Sequence, residues 1–194
     1  MKTLPIYFAH GAGAGHKNDF LVRLCNALKE QTKQVVHPVT FSYMAEQERT
    51  GNKRPPPNFK SLIPEFEQLI ENEDACVVAG KSMGGRVATQ LSHLPCVKAV
   101  ICFGFPFYPA GKPEKNRLSF LEGLKQPCLI IQGTRDQLGS LDWVSRQSLP
   151  DNVEVLWIEG ADHDFKTLKK LNKSIDDTIL ELAAHTKKWL ELNT

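Results

Sequence analysis

The chain has 194 residues, of which 41% are hydrophobic and 24% charged, with a formal net charge of +2. That length suffices for one well-buried domain and is short for two, and the composition is that of an ordinary globular protein. So small a charge, with lysines and arginines scattered among acids, argues against nucleic acid or an acidic membrane as a partner. No apolar run approaches a membrane span.

The opening MKTLPIYFAHGAGAG carries one lysine and an apolar stretch too short for a signal-peptide core, and it runs straight into a glycine-rich turn. Within it LPIYFAH (4–10) reads as a strand. NDFLVRLCNALKEQ (18–31) reads as a helix with Phe20, Leu21, Leu24, Cys25 and Leu28 on one stripe. VVHPVTFSY (35–43) is the second predicted strand. A stiff, proline-rich loop, GNKRPPPNF (51–59), then leads into a helix over 58–73 striped by Leu62, Ile63, Phe66, Leu69 and Ile70.

Four more strands are predicted at ACVVAG (75–80), VKAVICFG (97–104), PCLIIQG (127–133) and VEVLWIEG (153–160). A helix follows Ser82, and a long connection, 105–127, joins the fourth and fifth strands. The last helix, 174–192, opens with Ser174 and Asp177 in capping-box spacing. Several strands are almost wholly apolar, as expected when helices cover both faces of a parallel sheet. The alternation predicts an α/β doubly wound fold, one domain over 1–194. The five cysteines (25, 76, 96, 102 and 128) are odd in number, lack C-x-x-C spacing and lie mostly in apolar runs. They read as reduced thiols of a cytoplasmic protein rather than disulfides or metal ligands.

The stretch VVAGKSMGG (77–85) admits two readings. Gly80-Lys81-Ser82 matches the end of a phosphate-binding loop, but the first glycine of that motif would fall at Ala75, and Cys76 to Ala79 form an apolar strand rather than a flexible loop. Gly80-Lys81-Ser82-Met83-Gly84 is also G-x-S-x-G, the nucleophile elbow of a serine hydrolase. A strand leads in, a helix leads out, and Gly80 and Gly84 relieve the crowding of a strained turn. The elbow accounts for every position.

A serine needs a base, and the base a third group to orient it. CLIIQG ends in QGTRD, placing Asp136 past the fifth strand, and VEVLWIEG ends in GADHD, placing His163 past the sixth. Both fall on the sheet edge where Ser82 is expected. His163 is the candidate base and Asp136 its orienting acid, with Asp142 in reserve. Asp162 and Asp164 flank His163, but no second His or Cys group joins them at metal-ligand spacing. FAHGAGAG (8–15) brings small residues to the same edge. The oxyanion donors are read as the N–H of Met83, the residue after the nucleophile, and that of Ala12, with Gly11 next. His10 reads as a tether of this loop, and Gly11 to His16 lacks the third glycine of a dinucleotide fingerprint.

With HGAGAG, GKSMGGR, FPFYPAGKPEK, QGTRD and GADHD in this order, nearly the whole chain resembles the α/β-hydrolase superfamily. More closely it resembles small bacterial hydrolases of the Tex30/KANSL3-like group, and more distantly dienelactone hydrolases. The resemblance implies a minimal α/β-hydrolase fold of about six parallel strands in the order 2-1-3-4-5-6, with helices on both faces and no lid domain. It implies the triad Ser82, Asp136 and His163. Where such proteins often have D-P-F-G after the acid, this chain has Asp136-Gln137-Leu138-Gly139.

The expected activity is hydrolysis of a small-molecule acyl ester or thioester through an acyl-enzyme, without cofactor or metal. A peptidase or amidase, and a non-catalytic binding or scaffold protein on the same fold, are the alternatives. Phe105, Phe107, Tyr108 and Tyr43 are candidate pocket residues. Lys53, Arg54, Lys112, Lys115 and Arg117 are candidate rim cations, of which Arg54 is taken as a substrate contact. Arg86 reads as a tether between helix and loop.

Overall fold

In the computed structural model, residues 4–194 are described; Met1 to Thr3, part of the opening weighed against a signal peptide, lie outside the described residues. The apolar runs at the centre of the sheet fold as strands with neighbours on both faces, while the edge strands are partly exposed. In chain order the elements are β1 (Ile6–Ala9), α1 (Asp19–Thr32), β2 (Val36–Val39), α2 (Ser42–Thr50), α3 (Phe59–Ile70), β3 (Cys76–Lys81) and α4 (Met83–Thr89). There follow β4 (Val97–Phe103), α5 (Ser119–Glu122), β5 (Cys128–Gly133), α6 (Leu141–Val144), β6 (Val153–Ile158) and α7 (Ile175–Asn193).

The strands form one sheet in the order β2-β1-β3-β4-β5-β6, and every pairing is parallel. All residues of β3 and β5 are buried. Alternation along β3 sends Cys76 and Val78 into one layer, with Phe66 of α3 and Val87 of α4, and Val77 and Ala79 into the other, with Leu24 and Leu28 of α1 and Leu182 of α7. Ala9 pairs with Gly80, and Gly80 with Cys102, so the central strands end level and their following loops share one edge.

Two expectations along the chain change. The second strand stops at Val39, and a helix that was not foreseen begins at Ser42. Pro38 has no N–H to give a ladder, which is tolerated because β2 is an edge strand, and the residues after Phe41 (SYMAEQER) favour helix. The 105–127 connection holds a 3-10 turn at Pro113–Lys115 and the four-residue α5, with no lid domain. The capping box forms at α7, where Ser174 and Asp177 exchange side-chain-to-backbone bonds. Among the described residues, no helix is long and apolar enough to cross a membrane.

Candidate active site

Ser82 sits between β3 and α4 at φ 52° and ψ −112°. L-residues rarely adopt that conformation, and holding it costs about 1–3 kcal/mol. The surrounding backbone leaves little choice. A Cβ on Gly80 would run into the backbone of Gly84 and Gly85, and one on Gly84 would lie 2.5 Å from the carbonyl oxygens of Ala9 and His10. The N–H of Ser82 still reaches the carbonyl of Phe103 at 3.0 Å, so β3 holds the turn from one side while α4 starts on the other.

His163 lies in the loop after β6. Its Nε2 is 2.9 Å from Ser82 Oγ, and its Nδ1 is 2.7 Å from Asp136 Oδ2. A carboxylate facing Nδ1 puts the ring proton there, which leaves Nε2 to accept from the serine hydroxyl. Asp136 is fully buried, and its carboxylate takes two further bonds, from Gln132 Nε2 at 2.8 Å and from the Leu138 N–H at 2.8 Å. The two loops that carry the acid and the imidazole are tied together. Arg135 N–H donates to Ala161 O at 2.9 Å, and Gly160 N–H to Thr134 Oγ1 at 2.8 Å. The His163 loop is itself pinned by Asp162 Oδ1, which accepts from the N–H groups of Asp164 and Lys166. A hydroxyl, an imidazole and a carboxylate in this sequence can move a proton away from an attacking oxygen.

Met83 is the first residue of α4, so no carbonyl within that helix receives its N–H. Gly11 and Ala12 line the cavity above Ser82, and a Cβ on Gly11 would lie 3.7 Å from that of Ser82. His10 fixes the loop from beneath. Its Nε2 accepts from the N–H of Phe41 at 3.1 Å, so Nδ1 carries the proton and donates to the carbonyl of Gly11 at 2.6 Å. Burial holds His10 below the ordinary imidazole range, which keeps it neutral. His16 packs edge-on against Phe8 and His10, and burial, with a smaller push from His10, lowers it to about 4.

The cavity over Ser82 and His163, about 800 Å³, runs toward the first turn of α1. Its charged lining is Asp19, Arg23, Lys81, Asp164 and Lys166. None of the rim cations taken from the sequence lines it. Arg54 faces a separate shallow hollow with Tyr43 and Gln47. Phe105 and Phe107 are fully buried core residues packed edge to face, and Tyr108 is buried with its hydroxyl on Ser140. Tyr43 meets the loop through its hydroxyl, which donates to Ala12 O at 3.3 Å, and through its ring, which packs against His10. Asp142 is exposed and pairs with Arg146 rather than His163. Arg86 lies between the rings of Phe59 and Phe120, 3.9 and 5.1 Å from their centroids, where it ties α4 to α3 and α5. The sequence reading missed Gln132 and Lys81, although Lys81 stands inside the elbow motif itself. A second hollow, about 570 Å³, opens at the other end of the strands near Leu4 and Lys98, and among the described residues no histidine or cysteine lines it.

A family model described as Alpha/beta hydrolase domain matches residues 2–191. The fold is similar to that of a dienelactone hydrolase from Anabaena variabilis, with a TM-score of 0.68 at 19% identity over 98% of this chain and 87% of that one. It is similar also to a monoacylglycerol lipase from Paleococcus ferrophilus, with a TM-score of 0.69 at 13% identity over 99% and 96%. For the esterase domain of a Rhodothermus marinus protein the TM-score is 0.63 at 15% identity, over 97% and 87%. At these identities the likeness speaks for the fold alone.

Proposed function

The chain belongs to the alpha/beta hydrolase domain family, and on that premise we propose that it is a serine hydrolase cleaving a small carboxylic ester or thioester. The observation that carries this reading is the pair of contacts at His163, 2.9 Å to Ser82 Oγ and 2.7 Å to Asp136. Ser82 Oγ attacks the acyl carbon while His163 Nε2 takes its proton. The N–H groups of Met83 and of Ala12 or Gly11 hold the negative oxygen. His163 then returns the proton to the departing alcohol or thiol, leaving an acyl group on Ser82, and water repeats the steps to release the acid. Asp136 keeps the imidazole in one tautomer and steadies its charged form. No step calls on a cofactor. The thiols, all free among the described residues, support a reducing, cytoplasmic setting.

The test is an activity-based probe. A fluorophosphonate should add once to the wild-type protein, on Ser82. Ser82→Ala and His163→Ala should fall by about 10³-fold or more in labelling rate and ester turnover. A folded wild-type protein that takes no adduct and turns over no ester would count for a binding protein on a hydrolase fold. Faster cleavage of matched amides than of esters would move the reading to an amidase.

A further inference from the structure

Lys81 is the last residue of β3, and the alternation that places Val77 and Ala79 toward α1 and α7 carries its side chain into the same layer. There it is 7% exposed and opens onto the cavity that holds Ser82 and His163. Among the described residues, no carboxylate oxygen lies within 4.0 Å of its ammonium and no acceptor is hydrogen-bonded to it; the ring of Phe165 lies 5.7 Å away at its centroid, and Asp164, Asp136 and Asp162 act on the charge only from beyond ion-pair distance.

The acids that face Lys81 are otherwise engaged. Asp136 holds His163, Gln132 and the Leu138 N–H, Asp162 holds two backbone N–H groups, and Asp164 faces Lys166 at 3.9 Å. The other cations of the cavity have partners: Arg23 bonds to Asp19 and Asp176, and Lys166 faces Asp164. An ammonium largely withdrawn from water with no direct counterion is disfavoured, and a side chain as flexible as lysine would turn outward unless something held it. Phe165, at its distance and with no second ring, supplies only a small part of that compensation. The missing partner is an anion, and the cavity is where it can enter.

We propose that Lys81 anchors an anionic group, a carboxylate by preference, carried by the ester close to the bond that Ser82 attacks. The substrate class is therefore the half-ester or carboxy-substituted ester rather than the neutral ester. This rests on Ser82 being the nucleophile. The N-terminus of α1, whose N-cap Asn18 lines the same cavity, adds positive potential in the same direction.

The experiment compares matched esters. On the acyl side, 4-nitrophenyl ω-carboxyacyl esters of four to six carbons are each set against the ester with a methyl ketone in place of the carboxylate. On the leaving-group side, 4-acetoxybenzoate is set against 4-acetoxyacetophenone. Uncatalysed rates are subtracted throughout. The expected result is a preference in kcat/KM of about tenfold or more for the charged member of at least one pair, reduced about tenfold in Lys81→Met. In the wild type that preference should fall as pH rises past about 8, the value to which burial lowers Lys81. Asp19, Arg23, Asp136, Asp162, Asp164, Lys166 and His163 also face this region, and Lys166→Met run alongside separates the other lysine of the cavity from Lys81. The pH ratio on the wild type decides the matter even if Lys81→Met does not fold. A fluorophosphonate adduct and ester turnover with no charge preference, or with a preference that neither Lys81→Met nor pH alters, overturns the inference and leaves the hydrolase reading standing. No adduct and no turnover overturns both.

Discussion

Asp136 and Lys81 are charged side chains buried at the same edge of one sheet, and the fold treats them in opposite ways. The carboxylate of Asp136 accepts from an imidazole, a side-chain amide and a backbone N–H, and every donor comes from a loop or strand that packs independently of any ligand. The ammonium of Lys81 meets one aromatic ring and an open cavity, and the carboxylates that face it, Asp164, Asp136 and Asp162, form no direct ion pair with it. A buried charge that the protein satisfies by itself serves position: it holds His163 against Ser82 before anything binds. A buried charge left without a partner keeps its interaction energy for a group that arrives with the substrate. The contrast is testable because the two predict different responses to losing the charge.

The largest effect should come from the satisfied member. Asp136→Asn keeps the shape of the side chain but offers His163 an amide in place of a carboxylate. It permits the tautomer with its proton on Nε2, where it cannot accept from Ser82. Turnover should fall about 10⁴-fold with the fold retained. The check is steady-state kinetics with circular dichroism on the same preparation. A loss under tenfold would mean that His163 is oriented by its loop rather than by the acid, and the contrast with Lys81 would lose half its basis.

Lys81 should respond in the other direction, with a gain in stability beside its lost preference for charged esters. Burial lowers it to about 8 from the 10.5 of an ordinary lysine. Below pH 8 the folded chain carries the charge at its full penalty. Between 8 and 10.5 it sheds a proton that the unfolded chain still binds, so stability rises with pH across that window and levels off above it. At pH 7, Lys81→Met should therefore be more stable than the wild type by about 3 kcal/mol. The gap should narrow toward pH 10. Urea denaturation at both values reads it out. A variant less stable at pH 7 would show that the ammonium is satisfied within the fold.

The same difference explains what could be read from the chain before it folded. Ser82, His163 and Asp136 announce themselves through local signals, a glycine-flanked serine and two polar residues just past apolar strands, and the strand order is the one the resemblance to α/β-hydrolases implies. Gln132 carries no such signal, because it looks like one more residue of the strand CLIIQG and acquires its role only when Asp136 folds back over it. Lys81 was in view but hidden by its motif, since G-x-S-x-G assigns nothing to that position. Aromatic content misled in the opposite sense: Phe105 and Tyr108 follow β4 at the functional edge, yet packing against Phe107 and Trp143 turns them into core. Helix α2 was hidden by the β-branched start of VVHPVTFSY, whose edge strand ends early. Contacts made only once the chain is folded decide these cases, and composition does not record them.

The smallest effect sharpens the account of the satisfied charge. Gln132→Met retains length and apolar packing, but it removes the amide that bonds Asp136 at 2.8 Å and contacts the carbonyls of Phe105 and Gly139. Losing a hydrogen bond to a charged group is worth about 1.5–3 kcal/mol. Two donors to the carboxylate remain, so kcat/KM should fall about tenfold, far less than in Asp136→Asn. Comparing fluorophosphonate labelling rates of the two variants with wild type measures this directly. A loss equal to that of Asp136→Asn would mean that the amide alone keeps the carboxylate aligned on His163. No loss would mean that the Leu138 N–H and the imidazole suffice, and that Gln132 serves chiefly to close the loop around Gly139.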